Sequence, residues 1–464
     1  MTQPVSRRNF LKLMGTAAGA AALAACAPAA TAEPTKPAGP AATQAPVSLK
    51  TKKYTNTKVS FWTQGYGDSA IWQKDYLEAM GTQFKAESGV DMEFQIVPWA
   101  NANDTWLTVA QGGSAPDAAD MYWLYSNAAI GGGKNGPQPM DAYKNELWPD
   151  LTTRYTEGAL KDGIWNNKFY GIAWRGDIRP MLYRKDLLDA EGIKKGPDTW
   201  QELTDMSKQL TKRDKNGEVT QWGFAFSNAL PLQQMLPWLW QAGGEYMTAD
   251  GKTATIDTPE MAATLKWMYD LIWTHKVVSP ELMEKSYNVN ELFQAGKLAI
   301  VGQAGNTTGR DLDRDFPQLD GKWEMAIPVK GAKSRASYFG AGYFGTLYGA
   351  KNPEACARWI EFLTRDENMQ KLVEYTGYVT PNKSVMASKY WTDRPWKKVV
   401  GETMQYAHPS QHPSPAWTKM VANNPGAVIF DLFYNTLVKK NKIDDEIKLA
   451  QKLAQAEMDK IKLG

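Results

Sequence analysis

Apolar and polar positions along this chain switch between two periods. Val59-Ser60-Phe61-Trp62 reads as a strand, and Met92-Glu93-Phe94-Gln95-Ile96 reads as another by alternation. Between them Tyr76, Met80 and Phe84 recur at i, i+4 spacing and predict a helix ending at Gly89. Strand, helix and strand without a hairpin signal predict a βαβ unit in a parallel sheet. A second helix is expected from about Asn103 to Gln111. It leads to Pro116-Asp117, a short apolar run and a Gly-rich loop from Gly131 to Gly136.

Further along, Thr199-Trp200-Gln201-Glu202 is a capping box opening a helix through Leu203, Ser207 and Leu210. Asn216-Gly217 predicts a hairpin turn before a strand at Trp222-Gly223-Phe224-Ala225-Phe226. Asp250-Gly251 is a similar turn, and Thr258-Pro259 starts a helix with proline at its first position. Trp238 and Trp240 precede a helix end at Gly243-Gly244 and are expected in a core. The chain closes on an amphipathic helix through Ile443, Ile447, Ala450, Ala454, Met458 and Ile461. No internal repeat is visible.

The first residues follow neither period. Ser6-Arg7-Arg8-Asn9-Phe10-Leu11-Lys12 is a twin-arginine export pattern, and the apolar run after it ends in Leu23-Ala24-Ala25-Cys26. That tetrapeptide looks like a lipobox, in which the cysteine is acylated after cleavage. A basic start and a short apolar run ending in small residues form a processing signal, too short for a spanning helix. From Ala27 to about Lys53 the chain is Ala, Pro, Thr and Lys with little to bury, so it reads as a disordered tether. At ~3.1 Å per residue such a segment reaches on the order of 80 Å. The expected location is extracytoplasmic, held to the membrane by lipid.

About 410 residues remain to fold, natural for two domains. The formal charge is +3, but Arg7, Arg8 and Lys12 precede Cys26 without an acidic residue. The remainder sits near zero, which argues against nucleic acid as a partner, since phosphate binding needs a basic surface. Besides Cys26 there is Cys356, which continues through Trp359, Ile360 and Leu363 as a helical stripe and is expected to be a buried structural thiol.

Catalytic and cofactor motifs are missing. There is no His-Glu-x-x-His, Gly-x-Ser-x-Gly or Walker loop. His408 and His412 stand i, i+4, but Pro409 and Pro413 interrupt any helix that would aim both at a metal. Gly340-Ala341-Gly342-Tyr343-Phe344-Gly345 matches a dinucleotide fingerprint yet runs into Thr346-Leu347-Tyr348, which reads as strand, so no nucleotide cofactor is expected. Asp214-Lys215-Asn216-Gly217 is too short for a calcium loop. A pair of facing carboxylates is not visible in sequence, which keeps a glycosidase reading open.

Aromatic residues are abundant, with 19 Trp and 20 Tyr, and several fall in loops. Trp99 follows Pro98 at a strand end. Tyr122-Trp123-Leu124-Tyr125 comes just after a strand, Trp174-Arg175-Gly176-Asp177 lies between short apolar segments, and Trp417 sits in a Pro-rich loop. Aromatic faces stack on the C–H faces of sugars while Arg, Asp, Asn and Gln take hydroxyls. Ligand sites of open α/β sheets lie beyond strand carboxyl ends, where these loops fall.

Several blocks together resemble family 1 of the extracellular solute-binding proteins of ABC importers, which includes maltose- and glycerol-3-phosphate-binding proteins. They are Trp165-Asn166-Asn167-Lys168-Phe169-Tyr170-Gly171-Ile172-Ala173, Met181-Leu182-Tyr183-Arg184-Lys185-Asp186-Leu187, Pro197 to Leu203, and Ala242-Gly243-Gly244-Glu245. Phe293 to Ala299, Trp359 to Thr364, Gly377 and Pro381 continue them in the family's order. The resemblance implies an α/β, two-lobed, type II periplasmic-binding-protein fold with hinge strands near Tyr170–Asp177 and Tyr338–Gly345. Its implied division is 1–26 signal peptide, 27–53 tether, 54–173 with 345–395 one lobe, and 174–344 with 396–464 the other.

The implied protein is no enzyme. It is a monomeric, lipid-anchored receptor delivering a sugar or oligosaccharide to the transmembrane subunits of an ABC permease, without cofactor or metal. Alternatives are a tethered polysaccharide-degrading enzyme and a relative binding a phosphorylated polyol or other non-sugar solute. Matching loops gives Gln64, Tyr66, Trp99, Tyr122, Trp123, Trp174, Arg175, Asp177, Tyr343 and Trp417 as ligand residues, with Trp174 and Trp417 as the sugar platform. After Gly296-Lys297-Leu298-Ala299 the family often has Gly-x-Trp. This chain has Gly302-Gln303-Ala304-Gly305-Asn306, so Asn306 stands in for that platform. Arg175, Asp177 and Arg179 make the hinge loop more charged than a neutral sugar requires.

Overall fold

Among the described residues, twelve of fourteen strands fall into two main sheets, and the other two pair separately. The computed structural model describes residues 48–66, 70–121, 134–227, 231–284, 286–410, 414, 416–422 and 424–460. The stretch read as an export signal, Cys26 and most of the expected tether therefore lie outside the described residues. The strands, in chain order, are β1 (Thr57–Gln64), β2 (Val90–Val97), β3 (Ala118–Met121), β4 (Pro137–Gln138), β5 (Ile164–Trp165), β6 (Lys168–Phe169) and β7 (Ile172–Ile178). Then come β8 (Met181–Tyr183), β9 (Lys212–Arg213), β10 (Val219–Ala225), β11 (Leu298–Val301), β12 (Glu324–Ala326), β13 (Ser337–Leu347) and β14 (Ala407–Pro409).

The first sheet runs β14-β13-β3-β1-β2, with β4 and β7 also pairing β13. β1 is parallel to β2 and β3, as a βαβ unit requires. The connecting helix Ala70–Ser88 buries Tyr76, Met80 and Phe84 and ends at Gly89, whose φ is +82°. Only a glycine takes that conformation without strain. Phe61 and Phe84 pack edge-on against Trp359 from the helix Pro353–Leu363, which is buried along nearly its whole length and carries Cys356. Burial raises the Cys356 thiol pKa far above its usual range, which makes it inert packing.

The second sheet runs β12-β8-β11-β10-β9. β10 and β11 are parallel, and β8 is antiparallel to β11 and β12. The predicted features here are present. Thr199 accepts from Glu202 N at 3.2 Å, while the Glu202 carboxylate takes Asp198 N at 2.8 Å. Gly217 turns β9 into β10 at φ +87°. Thr258 caps the helix Pro259–Tyr269. Trp238 and Trp240 are buried in this sheet's core. The closing helix Ile443–Asp459 buries Ile447, Ala450, Ala454 and Met458, and its Gln451 accepts from Ile256 N at 2.7 Å. The second helix near the start begins earlier than its periodicity indicates, at Trp99, because Pro98 precedes it.

The chain leaves the first sheet after Ile178 and enters the second at Met181; it returns between β12 and β13. β7 and β13 lie antiparallel, with Gly342 opposite Arg175, Gly340 opposite Asp177 and a register shift between Gly342 and Tyr343. The glycine fingerprint is thus the inside of β13, not a turn into a helix. Residues 48–53, the end of the segment expected to be an extended tether, instead form a turn. Ser48 Oγ donates to Glu146 Oε1 at 2.8 Å, and Lys52 pairs with Glu354. Among the described residues no helix is long and apolar enough to cross a membrane.

Candidate functional site

The carboxyl ends of β1 and β3 and the strand β7 bring one buried polar cluster together. Tyr66 OH accepts from Arg175 Nη2 at 2.8 Å and donates to Asp120 Oδ2, with Gln64 Oε1 at 2.8 Å. Gln64, Tyr66, Asp120 and Arg175 are all buried. The loop after β1 is fixed by Gln73, which donates to Gln64 O at 2.6 Å and accepts from Tyr66 N at 2.7 Å. Around the guanidinium stand Tyr66 at 4.5 Å, Tyr378 at 5.0 Å, Trp174 at 5.5 Å and Trp99 at 5.7 Å from ring centre to Arg175 Cζ. A cation among aromatic faces is attracted by their quadrupoles, more strongly when water is excluded.

The electrostatics follow from burial. Burial pushes the Asp120 carboxyl upward, opposed by Arg175 and by the Tyr66 hydrogen bond. It also carries the Tyr66 hydroxyl well above its ordinary range. Burial pulls the Arg175 guanidinium down, but Tyr66 and Asp120 outweigh it and its pKa is raised. Arg175 therefore stays charged, and the Tyr66 hydroxyl joins it to Asp120. Beside it Arg179 donates to Asp177 Oδ2 at 2.6 Å. Two arginines meet two aspartates, so the hinge segment balances its own charge.

β13 leaves room for this arrangement. A Cβ on Gly342 would lie 2.7 Å from Arg175 Nε and 2.9 Å from Asp120 Oδ1. One on Gly176 would lie 2.2 Å from the Phe339 ring. These glycines are needed for close approach, not for phosphate.

The other expected site residues are distributed as follows. Trp99 is 46 % exposed, its indole N–H donating to Gly65 O at 2.7 Å and its ring edge-on to Tyr66 at 5.7 Å. Trp174 is buried and stacked on Phe344, with centroids 5.2 Å apart and planes 4° apart, while Tyr66 meets it edge-on. Tyr343 is buried where β13 meets β3 and β7. Asn306 starts the helix Asn306–Asp315 and donates from Nδ2 to Gly377 O at 2.7 Å. Trp417 is buried in the second sheet's core against Tyr246, its Nε1 donating to Ser410 O at 2.6 Å. Neither Trp174 nor Trp417, the expected platform pair, offers an open ring face in this structure, because protein covers both. Tyr122 and Trp123 lie outside the described residues.

Asp120, Tyr378 and Gln303 were not among the expected residues. A carboxylate inside the apolar run Ala118-Ala119-Asp120-Met121 is itself a signal, because a buried strand position does not take a charge without a partner. Tyr378 has no comparable local mark. His408 stacks on Trp240 at 3.9 Å with its Nε2 2.8 Å from Glu245 Oε1, and His412 lies outside the described residues. Among the described residues no group of three or more His, Cys, Asp or Glu is placed to hold a metal.

Comparison with known proteins places the chain in a family. Residues 68–370 match the family model described as bacterial extracellular solute-binding protein. A Brucella abortus (strain 2308) protein named as a binding protein is 26% identical over 328 residues, covering 68% of this chain and 75% of its own. The arabinooligosaccharide-binding protein of Halalkalibacterium halodurans is 24% identical over 295 residues, 62% of each chain. Among solved structures, MalE of Xanthomonas citri, a sugar-binding protein, superposes with a TM-score of 0.73 at 17% identity, covering 87% of this chain and 98% of its own. Maltose-bound MalE3 of T. maritima gives 0.70 at 21% identity, covering 86% and 99%. The chain belongs to the bacterial extracellular solute-binding proteins, and its fold is the two-lobed α/β type of the periplasmic binding proteins.

Proposed function

We propose that this member of the bacterial extracellular solute-binding protein family is the lipid-anchored receptor of an ABC importer, binding a neutral sugar or oligosaccharide between its two sheets and handing it to the permease. The observation that carries the reading is the Tyr66–Asp120–Arg175 cluster ringed by aromatic side chains at strand carboxyl ends, with Trp99 half-open at its rim. Sugars need this pairing of aromatic faces with fixed donors and acceptors. The balance of Arg175 and Arg179 by Asp120 and Asp177 favours a neutral ligand over a phosphorylated polyol, which would call for surplus positive charge. The named relatives are binding proteins, which supports binding without turnover.

Trp99 takes the stacking role in this reading. Replacing Trp99 by Ala is expected to weaken carbohydrate binding at least tenfold in a tryptophan-fluorescence titration without changing the thermal midpoint. Unchanged affinity would remove Trp99 from the site. The anchor rests on Arg7-Arg8 and Leu23 to Cys26. Cys26→Ser is expected to move the protein from the membrane fraction to the soluble one, and a protein still sedimenting with membranes would contradict the lipid anchor.

A further inference from the structure

We infer that Gln303 is a recognition residue of this cleft, its amide hydrogen-bonding a pair of hydroxyls on a neutral saccharide from the side of the second sheet. The inference rests on reading the cleft as a saccharide site and adds the residue that reads the ligand opposite Tyr66.

Gln303 is completely buried, and both polar atoms of its side chain, Nε2 and Oε1, lack a hydrogen-bond partner. Native proteins rarely leave buried polar groups in that condition, since the lost solvation is not returned. The main chain around it is, by contrast, tied down at three points. Ser227 Oγ donates to Gln303 O, Gly302 N to Ala225 O and Ala304 N to Pro180 O, each at 2.8 Å. The loop is thus rigidly held to the end of β10 and to the crossing between β7 and β8, and only the amide is left without a task.

Its loop borders the crossing between the two sheets. The loop follows the carboxyl end of β11, which lies parallel to β10, the position where open α/β sheets bind ligands. Three residues on, Asn306 donates to Gly377 O, and the next residue, Tyr378, packs on Tyr66 at 5.7 Å and on Arg175. Gly305 approaches Arg179, the partner of Asp177 in the hinge. Side-chain atoms without partners recur on both sides of this path. On one side are Gln303 Nε2, Gln303 Oε1 and Asn306 Oδ1; on the other are Gln64 Nε2, Asp120 Oδ1 and Arg175 Nε.

The chemistry selects the ligand. A carboxamide donates from nitrogen and accepts at oxygen, and adjacent sugar hydroxyls, each both donor and acceptor, complement it as a pair. An ionic group would leave one half of the amide opposed. Gln303 therefore acts as a specificity element for neutral vicinal hydroxyls.

Gln303→Met keeps the size and removes both polar atoms, and Gln303→Ala serves as a second variant. Each is measured for apo thermal midpoint and for affinity toward maltotriose, mannobiose, an arabino-oligosaccharide and diacetylchitobiose. The expected result is an apo Gln303→Met midpoint no lower than wild type, because nothing was paired, with affinity for the bound sugar at least tenfold weaker. A lowered apo midpoint for Gln303→Met would show the amide to be an internal structural group and overturn the inference. So would affinity within twofold of wild type in both variants. Failure of the wild-type protein to bind any of the four would overturn the saccharide reading itself and this inference with it.

Discussion

Arg175 is the residue on which the site turns. Its guanidinium is buried, hydrogen-bonded to Tyr66 and balanced by Asp120. Tyr66 bridges the two groups, and removing one member of a buried charged pair leaves the other uncompensated, at a cost of about 3–5 kcal/mol where the two are in direct contact. Arg175→Met should therefore destabilise the protein by that order in urea unfolding, because Asp120 stays behind in an apolar setting. Adding Asp120→Asn to it should restore a large part of the loss. A double variant no more stable than the single one would show that the two charges do not depend on each other. Arg175 is visible in the sequence as a charge between apolar segments, and Asp120 as a carboxylate in an apolar strand. Their partnership is not visible, since Tyr66 has to meet Asp120, 54 residues further along, through the pairing of β1 with β3. For the same reason Trp174 and Trp417 look like loop aromatics along the chain, and only the fold covers their faces.

At the scale of elements, short-range signals carried the furthest. The capping box at Thr199, the turn at Gly217, the proline start after Thr258 and the stripe of Tyr76, Met80 and Phe84 each depend on neighbours within a few residues. Where β7 pairs β13, or which helix docks on which, depends on residues more than a hundred positions apart and leaves no local period. One such docking is an ionic clasp. Glu87, at the end of the helix Ala70–Ser88, accepts from Arg365 Nη1 and Nη2 at 2.7 Å and from the fully buried Arg358 at 2.8 Å. Arg365 and Arg358 hold the Glu87 carboxyl below its ordinary pKa, against the opposing effect of burial. A carboxyl lowered by folding stabilises fully above its unfolded pKa, and that stabilisation is lost as pH falls through the folded value. Glu87→Gln should cost about 1–3 kcal/mol at pH 7, between the exposed and buried limits for ion pairs. The difference from wild type should shrink on acidification below the ordinary glutamate range. A penalty independent of pH would mean that packing, not charge, holds the two helices.

For the whole molecule, the two sheets, the crossings between them and the polar cluster at their junction form a device for holding a solute. In the proposed function, a ligand that touches both sides would stabilise a closed arrangement by its differential affinity for it. The proposed lipid anchor at Cys26 would keep such a receptor at the membrane, and Ser48 to Lys53 join the folded body through Glu146 and Glu354. The two-lobed fold was accessible in the sequence through the order of its family blocks, each weak alone. The balance of charge at the hinge was not, because Arg175, Asp177 and Arg179 look like surplus charge until Asp120 is seen among them. The most direct test is calorimetric titration of the purified protein with neutral oligosaccharides, with the sugar recovered afterwards and analysed by chromatography. Saturable binding with one site per chain and intact sugar is the expected result. Release of shortened products, or heat only with phosphorylated polyols, would contradict a receptor for neutral saccharides.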